Sequence, residues 1–434
     1  NPPATTDFPH YRLITTQYNR TLQDAHNEDE HDGTFVHCNT VSAGCQLFYN
    51  VVERYRGQSS LGQHPHGFRI NFPASKKLQS ELGFPVTKLN VMSQHIDRQA
   101  LGYQFFREAF SGALVAQLTQ FVRLETNPLS HGGVQDFAYM NVEKEDADFL
   151  SSQGGNITPL RFPGVCTVSL ATCTTTADCG ALGGTCFDRT AGNLYKGVLS
   201  ADLQYLGTDE NSYRGRYEKE TNETEDIFTD VMALTFALDP DTTSDANFES
   251  AVNAVVDENE WARFFAIQML LVNQEGGIYR DTGDDYLLYF EPSGSPLGPN
   301  TKILQRDTDS VFGGFGTFVQ ETIWRTNIQT PQRFLRNNAY AGRFVGAICD
   351  LLNTDFTPAV MNPRIDALPP AIADAAQKDR FKQWVVDRIA YVNGEITRTT
   401  TLTGVPASPY TSASPTLSLS GQLNQCGTYR VLLN

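Results

Sequence analysis

Eight cysteines constrain this 434-residue chain more than any other feature of its sequence. Their number is even and no Cys-x-x-Cys pair occurs, which favours disulfides over a zinc site. Cys38 and Cys45 are close enough to close a short loop, and by elimination we expect Cys349 to pair with Cys426. The sequence does not choose among the three possible pairings of the other four. These four are Cys166, Cys173, Cys179 and Cys186.

A disulfide framework indicates an oxidising compartment, and therefore a secreted or cell-surface protein. The alternative interpretation is a cytosolic protein with buried free thiols. The chain begins Asn-Pro-Pro-Ala, without a methionine or an apolar segment, so we expect that a secretory signal has been removed. An artificially chosen start would look the same. No apolar stretch approaches the roughly 20 residues of a membrane helix, so we predict no transmembrane segment.

The composition limits the classes of partner. Hydrophobic residues make up 40% of the chain, which is enough for a large core. The formal net charge of −16 repels phosphate backbones, so we expect no nucleic-acid partner. An acidic protein suits bound cations and basic protein substrates. The sequence indicates neither an oligomeric state nor a particular partner.

The first half of the chain predicts a small α+β unit. Residues 7–40 are polar and are expected to be irregular, and the acidic, histidine-containing run 24–32 is expected to be a solvated loop rather than a metal site. A helix is predicted at 97–112 from its apolar stripe. Alternating apolar and polar residues predict strands around it. These strands are 51–56, 68–72, 120–125 and 137–143.

The second half is predicted to be more helical. Asp257 and Glu260 have the spacing of a capping box, and a well-buried helix is expected to follow them. Thr330-Pro331 is expected to open a long helix, and residues 369–393 to form another. Strands are expected between these helices, at 286–290 and 303–305.

An acidic motif is the candidate metal-binding site. Asp307 and Asp309 lie two residues apart after the strand 303–305, and on an extended segment their carboxylates would point the same way. Mg²⁺ binds one or two carboxylates and completes its octahedron with phosphate oxygens and water. Taken alone, the motif is more often a solvated turn. The order of the elements around it, however, is the layout of a protein-kinase C-terminal lobe: a buried helix ending near Glu275, a strand after Asp285, then the acidic segment.

Further motifs make this likeness specific. Residues 54–60 read Arg-Tyr-Arg-Gly-Gln-Ser-Ser, residues 139–150 run from Tyr-Met-Asn-Val-Glu to Phe-Leu, and residues 192–197 read Gly-Asn-Leu-Tyr-Lys-Gly. In this order, and followed by the helix, strand and acidic segment, they resemble the spore-coat protein H (CotH) kinase-like family. The resemblance extends over roughly residues 8–395.

The resemblance implies a fold and an activity. We expect an α+β, atypical bilobal protein-kinase-like fold, with a smaller β-rich N-lobe and a helical C-lobe. The N-lobe would span 1–192 with a disulfide-rich insertion at about 160–190, the C-lobe 193–396, and a Ser/Thr/Pro-rich tail 397–434. The implied activity is phosphoryl transfer from ATP with Mg²⁺, or Mn²⁺, to Ser or Thr of a secreted or surface protein.

The resemblance also implies site residues. The metal ligands would be Asp307, Asp309 and Asp285. Glu275 would occupy the position of the catalytic aspartate. The nucleotide phosphates would lie near Ser59, Ser60, Glu143 and Lys196.

Three positions depart from the family pattern. A Lys-Lys pair normally precedes the strand that matches 68–72, whereas this chain has Pro65-His66, and a histidine holds phosphates less well than a lysine. Glu275 is one methylene longer than Asp, and a displacement of about 1 Å can cost on the order of 10²-fold in rate. Asp285 replaces an asparagine, and its extra negative charge favours cations but repels ATP.

Two functions therefore remain open. The first is a secreted CotH-type kinase, whose activity these departures could weaken. The second is a non-catalytic scaffold or surface-assembly protein, a pseudokinase that keeps the fold and binds a cation such as Ca²⁺ at Asp307 and Asp309. A glycan-binding module is a third, weaker alternative.

Overall fold

Long stretches of the chain are described by the computed structural model, with gaps between them. The described residues are 8–38, 44–57, 61, 63–80, 82, 85–110, 116–129, 133–151, 164–169, 172–173, 175–182, 184–198, 200–274, 276, 283–297, 300–396, 401–403, 420–422 and 426.

The N-terminal strands close into a barrel, which the sequence did not predict. Its strand order is β1-β2-β3-β4-β7-β9-β8, with β1 parallel to β8 and the other neighbours antiparallel. The elements of this part are β1 His10–Ile14, α1 Gln17–Ala25, β2 His31–Cys38, β3 Cys45–Arg56, β4 Gly67–Asn71, β5 Leu78–Gln79, β6 Pro85–Val86, β7 Lys88–Met92, α2 Ile96–Ala109, β8 Thr119–Leu129 and β9 Gly133–Val142.

The helix α1 shows why residues 7–40 were wrongly expected to be irregular. Its buried side chains are Arg20 and Gln23, which are polar and therefore leave no apolar pattern in the sequence. Both bind the buried carboxylate of Glu53 on β3, with Arg20 Nη1 at 3.2 Å from Oε1 and Gln23 Nε2 donating to Oε2 at 3.0 Å. A buried charge is tolerated when it is paired and hydrogen-bonded, as it is here.

The cysteines are all in disulfides, as the sequence predicted. The expected pairs Cys38–Cys45 and Cys349–Cys426 are confirmed. The four central cysteines pair in an interleaved order, Cys166 with Cys179 and Cys173 with Cys186. They hold a small three-stranded sheet that follows the helix α3. These elements are α3 Ala147–Ser151, β10 Gly164–Cys166, β11 Thr172–Cys173 and β12 Cys186–Phe187.

A four-stranded sheet and a set of helices make up the rest of the fold. The sheet has the order β14-β13-β15-β16, with all its neighbours antiparallel. The elements are β13 Asn193–Gly197, α4 Asn211–Arg214, β14 Tyr217–Lys219, α5 Thr229–Leu238, α6 Asp245–Asn253, α7 Glu258–Leu271, β15 Tyr286–Phe290, β16 Thr301–Gln305, α8 Gln329–Arg336, α9 Asn338–Asn353, α10 Pro358–Asp366, α11 Ala375–Glu395, β17 Thr401–Thr403 and β18 Ser420–Gln422.

The mixed α+β class is therefore confirmed, with one helix predicted wrongly. The long helix expected from Thr330-Pro331 is two helices, because α8 ends at Arg336. Asn337 takes an extended conformation and its side chain accepts a hydrogen bond from Ala339 N, which starts α9. Asparagine is a favoured N-cap, so a new helix begins here instead of the first one continuing.

The helix α2 joins the barrel to the C-terminal helices. The barrel interior is a hydrophobic cluster of its own, whereas Met92 and Val142 on the outer face of β7 and β9 pack into the larger cluster with α2 and α7. The rings of Phe106 on α2 and Phe264 on α7 lie 5.7 Å apart. This packing fixes α2 against the segment that follows β16.

Within the described ranges, no helix has both the length and the apolar character that crossing a lipid bilayer requires.

Gly102 permits the close approach of α2 to the loop after β16, since a Cβ at this position would lie 2.6 Å from Thr308 Cβ. We predict that Gly102→Ala forces the helix and the loop apart and lowers the free energy of unfolding by about 1–3 kcal/mol. Gly346→Ala is the matched control, because a Cβ there meets nothing within 4 Å in the helix α9. It should raise stability by up to about 1 kcal/mol. Urea unfolding of both variants tests this, and shifts in the same direction would contradict it.

Candidate functional site

The loop after β16 is fixed by hydrogen bonds from distant elements. Asp307 has a left-handed backbone, with φ 51°. Its N–H donates to the hydroxyl of Tyr103 on α2 at 3.0 Å, and its carbonyl accepts from Asn273 Nδ2, just after α7, at 3.2 Å. A left-handed aspartate is uncommon and persists where the surroundings determine it, which is typical of functional sites.

The next residues of the loop anchor it further. The buried Thr308 hydroxyl donates to Gln99 O on α2 at 3.1 Å. The buried Ser310 hydroxyl donates to Asn273 Oδ1 at 2.8 Å and accepts from Gln274 N at 2.8 Å. The loop is thus tied to α2 on one side and to the end of α7 on the other, and little freedom remains for its backbone.

The acidic pair lies in a turn, so the expectation of an extended segment is wrong. The strand β16 ends at Gln305, and Asp309 N donates to Asp307 Oδ1 at 3.3 Å. Aspartate side chains often bond to the backbone two residues ahead, and such a bond competes with strand geometry. Both aspartates are half-buried in this turn.

Arg306 binds two acidic residues beside Asp307. Its Nη1 forms an ion pair with Asp285, which precedes β15 and also has a left-handed backbone, with φ 57°. Its Nε lies 3.4 Å from Oε1 of Glu145, which follows β9. This oxygen accepts a hydrogen bond from Gln117 Nε2, at 2.7 Å. Arg306 therefore links the end of a barrel strand to the start of a strand in the four-stranded sheet.

The charges of this group shift one another's pKa values. Burial alone would raise the pKa of Glu145, but Lys144, Arg306 and Arg56 outweigh it and lower the pKa to about 2. Burial would lower the pKa of Arg306, but Asp285 and Glu145 outweigh it and raise the pKa. Glu145 is thus a carboxylate, and Arg306 a guanidinium, throughout the physiological range.

A basic residue and an aromatic ring flank the acidic turn. His95 precedes α2 and has a left-handed backbone conformation. Its Nδ1 lies 3.4 Å from Arg98 Nη1. Its ring meets the ring of Phe315 edge to face at 5.0 Å. Burial and Arg98 lower the pKa of His95, against the opposing effect of Asp97 and Asp307, so this histidine is neutral at pH 7.

Two of the residues expected at the nucleotide phosphates have other partners. Glu143 is 2% exposed, and its Oε2 accepts from Leu118 N at 3.0 Å, next to the start of β8. Lys196 on β13 forms a cross-strand ion pair with Glu218 on β14, with Nζ and Oε2 3.0 Å apart. Glu143 is buried two residues before Glu145 in the sequence. Lys196 is ion-paired at the protein surface.

Three predicted residues lie outside the described part of the chain, namely Glu275, Ser59 and Ser60. The neighbours of Glu275 are described, and Gln274 donates to Ser310 in the acidic loop. Asn273 and Gln274 are therefore adjacent to the acidic loop. Gly57 is the last described residue before Ser59 and directly follows β3. Its φ of 132° is a conformation that favours glycine.

The acidic residues do not form a closed metal cage among the described residues. There, the only group of three metal-ligand atoms within 4.8 Å of one another is Cys166, Cys173 and Cys179, and these cysteines are in disulfides. Asp307, Asp309 and Asp285 thus offer dispersed carboxylates rather than a full coordination shell. Mg²⁺ takes few protein ligands, whereas Ca²⁺ takes 6–8 oxygens.

Comparison with known proteins decides the family. The model of the CotH kinase protein family matches residues 54–400, which is most of the chain. The chain belongs to the CotH kinase family. None of the curated proteins compared with the chain matches it. The matched range includes the acidic loop, the segment before it, the strand β4 and the last three residues of β3.

Several residues that fix the candidate site were missed from the sequence. Tyr103 and Gln99 on α2 lie about two hundred positions before the loop they bind, so no local pattern connects them. Arg306 adjoins Asp307 in sequence, and a cation beside an acidic motif was an available indication of an ion pair. Its partner Glu145 had no such indication, because it follows a strand in an unremarkable acidic stretch.

The pKa of Glu145 predicts an acid-dependent contribution to stability. A carboxyl group with a folded-state pKa of about 2, below its usual 4.5, stabilises the folded state above pH 4.5 and loses this contribution as the pH falls towards 2. We predict that Glu145→Gln lowers the free energy of unfolding by about 3 kcal/mol at pH 7. The difference from the wild type should shrink between pH 4.5 and 2.

Urea unfolding across this pH range measures that difference. Glu218→Gln is the control, because its partner Lys196 is paired at the surface, where such pairs contribute about 0–1 kcal/mol. A constant difference between Glu145→Gln and the wild type at every pH would contradict the assignment of a depressed pKa.

Proposed function

We propose that this CotH-family chain is a secreted or cell-surface protein kinase, with the bilobal arrangement of 1–192 and 193–396. It would transfer the terminal phosphoryl group of ATP, bound with Mg²⁺ or Mn²⁺, to a Ser or Thr hydroxyl of an extracellular or surface protein. The observation that carries the proposal is the fixed backbone of Asp307. Two separate elements, α2 and the segment just after α7, hold it in a left-handed conformation beside His95 and Arg98.

The chemistry needs little more than positioning and charge. Phosphoryl transfer requires a metal-bound aspartate on the phosphates and a carboxylate near the attacking hydroxyl. In the proposed step, the hydroxyl oxygen bonds to the terminal phosphorus, the bond to the ADP oxygen breaks, and the hydroxyl proton passes to Glu275. Asp307 would hold the cation, with Asp309 beside it, and the bound cation would neutralise the developing charge.

Asp285 has a smaller role in this proposal than the resemblance implied. Its carboxylate is paired with Arg306, whose positive charge lowers the attraction of Asp285 for a cation. We therefore assign the cation chiefly to Asp307. A cation with few protein ligands needs the phosphates to complete its shell, which makes its binding dependent on the nucleotide.

The disulfides support a secreted or surface location. All eight cysteines are paired, and one bond ties Cys349 on α9 to Cys426 near the end of the chain. Paired cysteines persist in oxidising compartments and are rare in the cytosol.

The alternative, a non-catalytic scaffold with a bound Ca²⁺, has weaker support. The described carboxylates are not gathered into the oxygen-rich cage that Ca²⁺ takes. The same binding experiment separates the two functions.

We predict that Mg²⁺ and ATP together raise the melting temperature of the wild type by a few degrees, and that neither does so alone. Ligand at 100 times its Kd stabilises a protein by about 2.7 kcal/mol. Asp307→Asn should abolish this shift, because a neutral amide binds the cation weakly. The control Asp379→Asn, at an exposed position on α11, should keep it. A shift with Ca²⁺ alone and none with any nucleotide would contradict the kinase and favour the scaffold.

Binding and transfer can be separated at Glu275. We predict that Glu275→Gln keeps the thermal shift with Mg²⁺ and ATP but lowers phosphate transfer to a basic, Ser-rich protein by at least about 10²-fold. The measurement is incorporation of labelled phosphate from ATP. Transfer at the wild-type rate in this variant would exclude Glu275 as the proton acceptor.

A further inference from the structure

Two exposed phenylalanines follow the acidic turn in the sequence. Phe315 and Phe318 are 52% and 68% exposed and lie three positions apart. A single exposed apolar side chain is common on a protein surface and needs no explanation, whereas grouped ones typically mark an interaction site. Two such rings in one short segment beside the candidate site are therefore a candidate contact surface for a ligand.

The backbone of Phe315 is strained. Its φ of 47° and ψ of 30° lie in the left-handed region that bulky residues rarely adopt. Phe312 is left-handed too, with φ 53°, but its ring is only 4% exposed and packs edge to face against Trp384 at 5.2 Å. Packing offsets the strain at Phe312, whereas the half-exposed ring of Phe315 gains much less from burial. Strain of this kind is concentrated at functional sites.

The backbone on both sides of the two rings is anchored. Thr317, between them, is buried, and its N–H donates to Gly314 O at 2.9 Å and its hydroxyl to Ser310 O at 3.4 Å. The fully buried Arg388 on α11 donates to Val319 O at 2.8 Å. A fixed backbone holds the rings outward before any ligand arrives, so binding costs little ordering of the segment.

Phe315 lies directly beside the acidic turn. The preceding residue, Gly314, is buried against that turn, since a Cβ on it would lie 2.8 Å from Asp309 O. The ring of Phe315 meets the ring of His95, just before α2, at 5.0 Å. An extended peptide advances about 3.3 Å per residue. The neighbours of a hydroxyl group placed at Asp307 therefore come within reach of this ring.

The surroundings of Phe315 favour an apolar ligand side chain. Arg98 is close on one side, because its Cδ would lie 3.4 Å from a Cβ at Gly314 and its Nη1 lies 3.4 Å from His95 Nδ1. This guanidinium repels Lys and Arg side chains. The carboxylates of the acidic turn repel Asp and Glu side chains. An apolar side chain is repelled by neither and gains from covering exposed rings.

We propose that Phe315 and Phe318 bind an apolar side chain of the protein substrate, next to the Ser or Thr that receives the phosphoryl group. The inference rests on the proposed function and deepens it, because it names a feature by which the site selects its substrate. The left-handed backbone of Phe315 is then maintained for substrate binding rather than for the stability of the fold.

The variant Phe315→Gly separates substrate binding from a structural role. Glycine adopts the left-handed region without strain, so this variant should melt at the same or a higher temperature than the wild type. Phe312→Gly is the matched comparison, and it should melt at a lower temperature because it loses a packed ring. A lower melting temperature for Phe315→Gly, together with wild-type peptide affinity, would assign the ring to folding and overturn the inference.

Three dye-labelled peptides measure the preference by fluorescence anisotropy on the full chain. They are identical except that the residues on either side of a single Ser are Leu, Ala or Lys. The wild type should bind the Leu peptide about 10-fold more tightly than the Ala peptide. Phe315→Gly and Phe318→Ala should each reduce this preference by about 5-fold or more, and leave the affinity for the Ala peptide unchanged.

The control is Phe236→Ala, at an exposed phenylalanine on α5. It should bind all three peptides as the wild type does. Equal wild-type affinity for the Leu and Ala peptides, or tighter binding of the Lys peptide, would overturn the inference.

Phosphate transfer to the same peptides distinguishes this inference from the proposed function. In Phe315→Gly, KM for the Leu peptide should rise about 10-fold, with kcat and the thermal shift with Mg²⁺ and ATP unchanged. If the wild type transfers phosphate to the Leu and Ala peptides with equal kcat/KM, the kinase stands and the inference fails. If both rings bind the Leu peptide but no phosphate is transferred, the kinase fails and the apolar binding surface stands. Neither binding nor transfer overturns both.

Discussion

The ion pairs of Arg306 connect the parts of this structure on which the site depends. Its guanidinium binds Glu145, after the barrel strand β9, and Asp285, before β15 of the four-stranded sheet. The next residue is Asp307, whose N–H is held by Tyr103 on α2. One half-buried guanidinium thus links the barrel to the sheet, and the acidic loop begins at the next residue.

The same pairs divide the acidic residues by role. Glu145 and Asp285 neutralise Arg306, whereas Asp307 and Asp309 lie in a turn fixed by main-chain and hydroxyl contacts. A Mg²⁺ ion that is bound mainly by one carboxylate takes its other ligands from phosphate and water. Under the proposed function, the ligand would therefore carry both a cation and several phosphates.

The sequence predicted the elements whose burial is apolar and local. The strand β15 is buried along its whole length and the helix α7 is buried at Trp261, Ala262 and from Phe264 to Leu271, and their apolar residues made them evident. The helix α1 was missed because its buried residues, Arg20 and Gln23, are stabilised by Glu53 rather than by apolar contacts. The closure of the barrel was missed because the parallel pairing of β1 with β8 joins segments far apart in sequence.

The candidate site was predicted in its acidic residues but not in its geometry. Short motifs identify Asp307, yet its left-handed turn depends on Tyr103, which is remote in sequence. The most direct test is a crystal structure with Mn²⁺ and a non-hydrolysable ATP analogue, using the anomalous scattering of manganese. The account predicts Mn²⁺ bonded to the Asp307 carboxylate and to the phosphates, with Arg306 still paired with Asp285. Manganese or analogue bound away from Asp307 would contradict it.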